Sequence, residues 1–240
     1  MLKATLPSTR RSFLQAFGCG CLAIAAARTC STPALAGHGP HTEMTAEEAL
    51  AALRTGNAKF VADKPVALDM GQQRRSAIAR TQTPFAVVVG CSDSRVSPEL
   101  LFDRGLGDLF TIRVAGNSID RDELGSIEYG VSALGCPLVV VLGHERCGAA
   151  LAAIQAVQQD MQFPGAIGDM VAPIVPAVLR AQKLQGDLTE NVVRENVRSV
   201  ARRLRGADDL MGDAIRKDGV KVVGAYYRLD DGSVDFFDGV

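Results

Sequence analysis

Four stretches of the chain, 85–90, 109–114, 138–143 and 220–227, are apolar without alternation and rich in valine. A run with no polar face predicts a strand covered on both sides, as in the parallel sheet of an α/β layer structure. The intervening segments 123–134, 149–159, 170–184 and 190–204 carry helical patterns, and near the start Thr45-Ala46-Glu47-Glu48 has the spacing of a capping box. Leu50, Leu53, Ala58, Phe60 and Val61 follow at near-helical period, which predicts a helix over 46–62. Strands alternating with helices imply right-handed crossovers and a mostly parallel sheet. In 229–239 the pair Asp231-Gly232 precedes a second short apolar run, predicting an antiparallel hairpin at the sheet's end. The expected fold is therefore α/β: one domain over 45–240, a mostly parallel central β-sheet flanked by helices, an N-terminal helical arm and a C-terminal antiparallel hairpin.

Composition fits one well-buried domain, with 240 residues of which 47% are hydrophobic and 5% aromatic. Disordered and collagen-like classes are excluded. The formal net charge of −1 conceals an asymmetry, because residues 1–36 hold Lys3, Arg10, Arg11 and Arg28 and no acidic residue. The remainder has 22 basic against 27 acidic residues. An acidic body without a basic stripe argues against nucleic acid as a partner.

Residues 1–36 read as an address. A charged head is followed by an apolar stretch from Ala16 to Ala27 and by the small-residue end Ala34-Leu35-Ala36. The apolar stretch is shorter than the roughly 20 residues a membrane-spanning helix needs, so no stable membrane anchor is expected. Arg10-Arg11-Ser12-Phe13-Leu14 resembles the twin-arginine export signal of bacteria, which carries proteins across the membrane already folded. The expectation is a signal peptide over 1–36, cleavage near Ala36, a flexible lead-in over 37–44, and a periplasmic mature protein. His38 and His41 in the lead-in have nothing rigid beside them and read as a solvated tail rather than a metal site.

Of six cysteines, Cys19, Cys21 and Cys30 lie in the segment expected to be removed, leaving Cys91, Cys136 and Cys147. Three is too few, and odd, for a disulfide framework. Metal ligation fits better, and export in the folded state would protect bound thiolates from oxidation.

Ligands of open parallel sheets bind beyond the carboxyl ends of the strands. The 85–90 run leads into Cys91-Ser92-Asp93-Ser94-Arg95, and the 138–143 run into His144-Glu145-Arg146-Cys147-Gly148, which sets Cys91 beside His144 and Cys147. Two thiolates and an imidazole suit tetrahedral Zn²⁺, and three protein ligands leave a fourth position where a water's pKa falls to about 7. By spacing alone the same residues also read as buried strand-end cysteines and a core histidine. Alternation along an extended segment would put residues 91, 93 and 95 on one side. Asp93 would then either ligate the metal or pair with Arg95 and accept a hydrogen bond from metal-bound water; a plain surface ion pair is the bland alternative.

Taken together, Cys91-Ser92-Asp93-Ser94-Arg95-Val96, Leu109-Phe110-Thr111-Ile112-Arg113-Val114-Ala115-Gly116-Asn117, Ser126-Ile127-Glu128-Tyr129-Gly130-Val131 and Gly143-His144-Glu145-Arg146-Cys147-Gly148 resemble the β-class carbonic anhydrases. The likeness covers about 45–240, including Gly56-Asn57-Ala58-Lys59-Phe60 and Val223-Gly224-Ala225-Tyr226-Tyr227. It implies one Zn²⁺ per chain on Cys91, His144 and Cys147, with Asp93 as a fourth ligand in a closed state. It also implies catalytic roles for Asp93 and Arg95, which orient a zinc-bound hydroxide that attacks CO2 to give bicarbonate and a proton. Gln82 falls where the family has a glutamine that hydrogen-bonds substrate, and Phe110 and Tyr129 where it lines an apolar CO2 pocket across a dimer interface, so a homodimer or tetramer is expected.

One departure stands out. Bicarbonate-regulated members have tryptophan three residues before the first zinc cysteine, where this chain has Val88, and the chain contains no tryptophan. Arg113 is shared with regulated and unregulated members and discriminates nothing. Cys136 reads as a buried apolar thiol. Alternative readings are a zinc hydrolase of the same fold acting on a sulfur analogue such as CS2, and a catalytically silent zinc-binding module.

Overall fold

A computed structural model describes residues 40–65, 68–207 and 210–240. The expected signal peptide with Cys19, Cys21 and Cys30, and His38 in the lead-in, lie outside the described residues; residues 40–44 are described and form neither helix nor strand. In chain order the elements are α1 (Ala46–Val61), α2 (Gln72–Ile78), β1 (Ala86–Gly90), α3 (Pro98–Leu101), β2 (Leu109–Arg113), α4 (Arg121–Glu128), β3 (Leu138–His144), α5 (Gly148–Gln159), α6 (Ala166–Val171), α7 (Val175–Ala181), α8 (Leu188–Arg205), α9 (Leu210–Asp218), β4 (Lys221–Tyr227) and β5 (Val234–Asp238). The sheet order is β2-β1-β3-β4-β5, with every pairing parallel except β4 with β5.

Both faces of the sheet are covered, which is why β1 and β3 are apolar up to His144 at the end of β3: every position in each is buried. Val87, Val89, Val139, Val141 and Val222 pack with Val197, Leu204 and Met211 on one face, while Ala86, Val88, Val140, Leu142 and Val223 pack with Ala49, Leu53 and Phe102 on the other. α1 starts as its sequence requires, with the Thr45 and Glu48 side chains each taking the other's backbone N–H.

The helix expected over 170–184 is instead α6, a 3₁₀ turn over Ala172–Ile174, and α7. Pro173 and Pro176 each fall at the start of a new segment, where a missing N–H is tolerated. The helix expected over 123–134 gives way to a π-helical turn over Tyr129–Ala133. There Gly130 faces Val87 and the Phe110 ring so closely that an added Cβ would lie 2.6 Å from the valine. Among the described residues, no helix is long and apolar enough to cross a membrane.

Candidate metal centre

β1 and β3 are neighbours in the sheet, with Gly90 opposite Leu142, so the chain beyond Gly90 and the end of β3 emerge together. This juxtaposition brings the Cys91, His144 and Cys147 donor atoms within 4.8 Å of one another, all three residues buried. The His144 ring is oriented from behind, its Nδ1 lying 2.8 Å from the Glu145 carbonyl oxygen, which fixes the N–H there and leaves the lone pair on Nε2. That Nε2 is fully buried and has no hydrogen-bond partner. A buried imidazole nitrogen with nothing to bind, facing two sulfurs, is costly unless a cation occupies the space between them. The residues therefore fit tetrahedral zinc, with sulfur and nitrogen donors roughly 2.0–2.3 Å from the ion.

Two thiols this close do not ionise independently. The hydrogen bond from Cys147, aided by the Gly116 N–H, draws Cys91 down to about 4 against the opposing effect of burial. Cys147, as donor of that bond and itself buried, is pushed up. It is also the N-cap residue of α5, where the positive end of the helix favours negative charge.

Asp93 stands beside this triad. Its Oδ2 is 3.9 Å from His144 Nε2, and its carboxylate is gripped by Arg95, with Nε donating to Oδ1 at 2.9 Å and a terminal nitrogen donating to Oδ2 at 2.8 Å. The pair is not brought together by strand alternation as expected, because residues 91–95 form no strand. Asp93 instead makes a tight local turn, its Oδ1 accepting the Arg95 backbone N–H at 3.0 Å. The Arg95 guanidinium holds the Asp93 carboxyl well below the usual carboxylate range.

Three supports were not evident from the sequence. Arg113, at the end of β2, donates to the carbonyl oxygens of Cys91 at 3.1 Å and Asp93 at 2.7 Å, so it fastens the loop that carries both. Gly116 directs its N–H at the Cys91 sulfur, at 3.3 Å. Asn196 of α8 donates to the Gly116 carbonyl at 2.8 Å. All three act on or through the main chain, which leaves no residue-type pattern to read.

Gln82, Phe110 and Tyr129 lie elsewhere within one chain. Phe110 pairs with Val87, four residues before Cys91, and hence about 13 Å back along the strand. The Tyr129 ring lies 6.1 Å from that of Phe110 and is 39% exposed. Gln82 is exposed in the segment before β1. His41 is exposed but not isolated, its ring standing 2.6 Å from where a Cβ on Gly135 would be. Cys136 is fully buried, its S–H donating to the Pro84 carbonyl at 3.3 Å.

A parallel-sheet site with two cysteines, one histidine and a corner guarded by a carboxylate defines a catalytic rather than a structural zinc enzyme. The family model described as carbonic anhydrase matches residues 86–234. The carbonic anhydrase of Mycolicibacterium smegmatis is 39% identical over 184 residues, covering 77% of this chain and 89% of that protein. Among solved structures, the β-carbonic anhydrase of Coccomyxa in complex with acetazolamide aligns with a TM-score of 0.62 at 26% identity, covering 78% of this chain and 84% of that one. A tetrameric β-carbonic anhydrase of Sordaria macrospora shares the fold, with a TM-score of 0.63 at 22% identity over 69% of this chain and 87% of that one. The chain belongs to the carbonic anhydrase family, in its β class, and its reaction is the reversible hydration of CO2 to bicarbonate and a proton.

Proposed function

We propose that Asp93 and Arg95 govern what reaches the metal's fourth position during CO2 hydration. Zinc held by Cys91, His144 and Cys147 supplies a Lewis acid that makes hydroxide available near neutral pH. Clamped by Arg95, Asp93 stays ionised and is a pure acceptor. It takes a hydrogen bond from the attacking water and turns the oxygen lone pair toward substrate, while the guanidinium keeps the carboxylate itself off the metal. The observation that carries this reading is the double contact of Arg95 with a carboxylate whose Oδ2 is 3.9 Å from the unpartnered His144 nitrogen.

The substrate is linear and apolar while its product is an anion, so the pocket needs aromatic walls and at least one neutral donor. Phe110, Tyr129 and Gln82 have that chemistry. Because Phe110 is about 13 Å along the strand from its own Cys91, these three serve the metal of a second subunit. Among the described residues β2, which carries Phe110, is an edge strand of the sheet, which suits such a partner. The mature enzyme is thus at least a homodimer. It is exported to the periplasm after removal of residues 1–36, a reading supported by Arg10-Arg11 and the small-residue end at Ala36.

Arg95→Ala tests the central claim. It frees Asp93 to swing onto the metal, so CO2 hydration at pH 8 and above should collapse while zinc content stays near one per chain. Retained activity would overturn the proposal, and loss of zinc with activity would make Arg95 a structural support instead.

A further inference from the structure

We propose that Asn196 is a positioning residue for the metal centre, acting on the Cys91 sulfur through Gly116. Asn196 is 5% exposed and sits on α8, remote in sequence from every ligand. Its Nδ2 donates at 2.8 Å to the carbonyl of Gly116, and the N–H of the same glycine points at Cys91 Sγ from 3.3 Å. Gly116 is the hinge between these two bonds. Its φ of 72° is the left-handed conformation that only glycine adopts freely, and an added Cβ would lie 2.6 Å from Ile174 Cδ1 and 3.0 Å from Ala149 Cβ. Packing therefore restricts the turn sterically while Asn196 holds its carbonyl.

The same helix also presses on the strand that delivers the imidazole. A Cβ on Gly143, the residue before His144, would meet Val193 Cγ1 at 2.6 Å and Val197 Cγ2 at 2.7 Å. One turn of α8 thus sets the height of β3 with two valines and the direction of the Gly116 N–H with one amide.

An N–H aimed at a metal-bound thiolate draws electron density from sulfur, so it tunes what the sulfur donates to the metal as well as where it stands. Without the Asn196 bond, the Gly116 carbonyl is left buried and unpaired, the turn is free to rotate, and Cys91 loses its donor. This inference rests on the metal centre described above.

The test uses the folded, full-length mature protein loaded with cobalt in place of zinc, together with zinc competition against a chromophoric chelator. Asn196→Leu, close in volume but unable to donate, should move the sulfur-to-cobalt charge-transfer band to lower energy, because an undamped thiolate is easier to oxidise. Zinc should be held on the order of 10–100-fold less tightly. A wild-type band together with unchanged zinc affinity would overturn the proposal even if the melting temperature fell, since a purely structural amide moves only the latter. If the leucine variant fails to fold, Asn196→Ala is read by the same band and the same competition. Wild-type protein that bound neither metal would instead overturn the metal centre, a result distinct from a silent Asn196.

Discussion

Replacing Asn57 by leucine should lower stability by about 3 kcal/mol, because this amide, buried in α1, ties together three separate parts of the chain. Its Nδ2 donates to the Leu101 carbonyl at 3.2 Å and to the Gly232 carbonyl at 2.9 Å, and its Oδ1 accepts the Val234 N–H at 2.9 Å. Leucine fills a similar volume but strands two carbonyls and one N–H, each costing about 1–3 kcal/mol when buried. Taking the low end for all three gives the quoted figure. For a domain of this size about 1 kcal/mol moves the midpoint by roughly 2–4 °C, so thermal unfolding of the zinc-loaded protein should shift down by about 6–12 °C.

The loss should also be felt at the metal. The hairpin that Asn57 anchors holds the segment between two ligands: Leu229 N–H donates to Glu145 Oε2 at 2.9 Å, Glu145 N–H to the Tyr227 carbonyl at 2.8 Å, and Arg146 pairs with Asp230 at 2.7 Å. Zinc should therefore dissociate faster from the leucine variant below its melting temperature. A midpoint within about 2 °C of wild type would refute the idea that Asn57 is a staple rather than an incidental buried amide.

Acid titration offers a second check. Asp93 has a depressed folded-state pKa, so the stabilisation it brings is fully present above the ordinary carboxylate value of about 4 and drains away as the pH falls below it. The stability gap between wild type and Asp93→Asn in urea unfolding should be flat from pH 5 upward and shrink on acidification; a gap constant from pH 6 to 2 would contradict the Arg95 clamp. Removing the metal with a chelator should cost about 4 kcal/mol relative to protein with free zinc at a thousand times its dissociation constant, lowering the midpoint by roughly 8–16 °C in calorimetry; no shift would mean the triad does not bind zinc in the fold. Cys136, whose thiol burial pushes up to about 12, should resist iodoacetamide in the native protein at pH 8 and react only after unfolding; native labelling at the rate of a free thiol would contradict its burial.

The strands were legible in the sequence because β1 and β3 are covered on both faces, so their composition admits only apolar residues. The triad was legible for a related reason, since Cys91 directly follows one such run, His144 ends another and Cys147 lies three residues further on. α2 was not, because none of its residues is buried and no apolar stripe marks it. α9, nine residues from Leu210 to Asp218, buries only Met211, Gly212 and Ala214 and offers too little periodicity to detect. Asn196 and the anchoring role of Arg113 escaped notice because each binds a carbonyl group that every residue possesses. The aromatic pair Phe110 and Tyr129 presents the reverse case: their types suggest a pocket, yet their place in one chain is a strand's length from the metal, so only a second subunit gives the suggestion meaning.

The two intervals between the metal's ligands differ in what they tolerate. From Cys91 to His144 the chain passes through α3, β2, α4 and most of β3, and extra residues in the turn before β2 would leave both anchoring strands where they are, whereas the turns at Asp93 and Gly116 hold the site and would not accept them. From His144 to Cys147 there is no slack: β3 ends on the first, α5 begins just after the second, Arg146 between them adopts φ 51°, and the Glu145 backbone is bonded to β4. A single inserted residue there would have to bulge out between a fixed strand end and a packed helix start, displacing the Cys147 sulfur from the other two donors. The longer interval can therefore change length only away from the turns that hold the site, whereas the shorter one is a ruler whose graduation cannot change without erasing the enzyme.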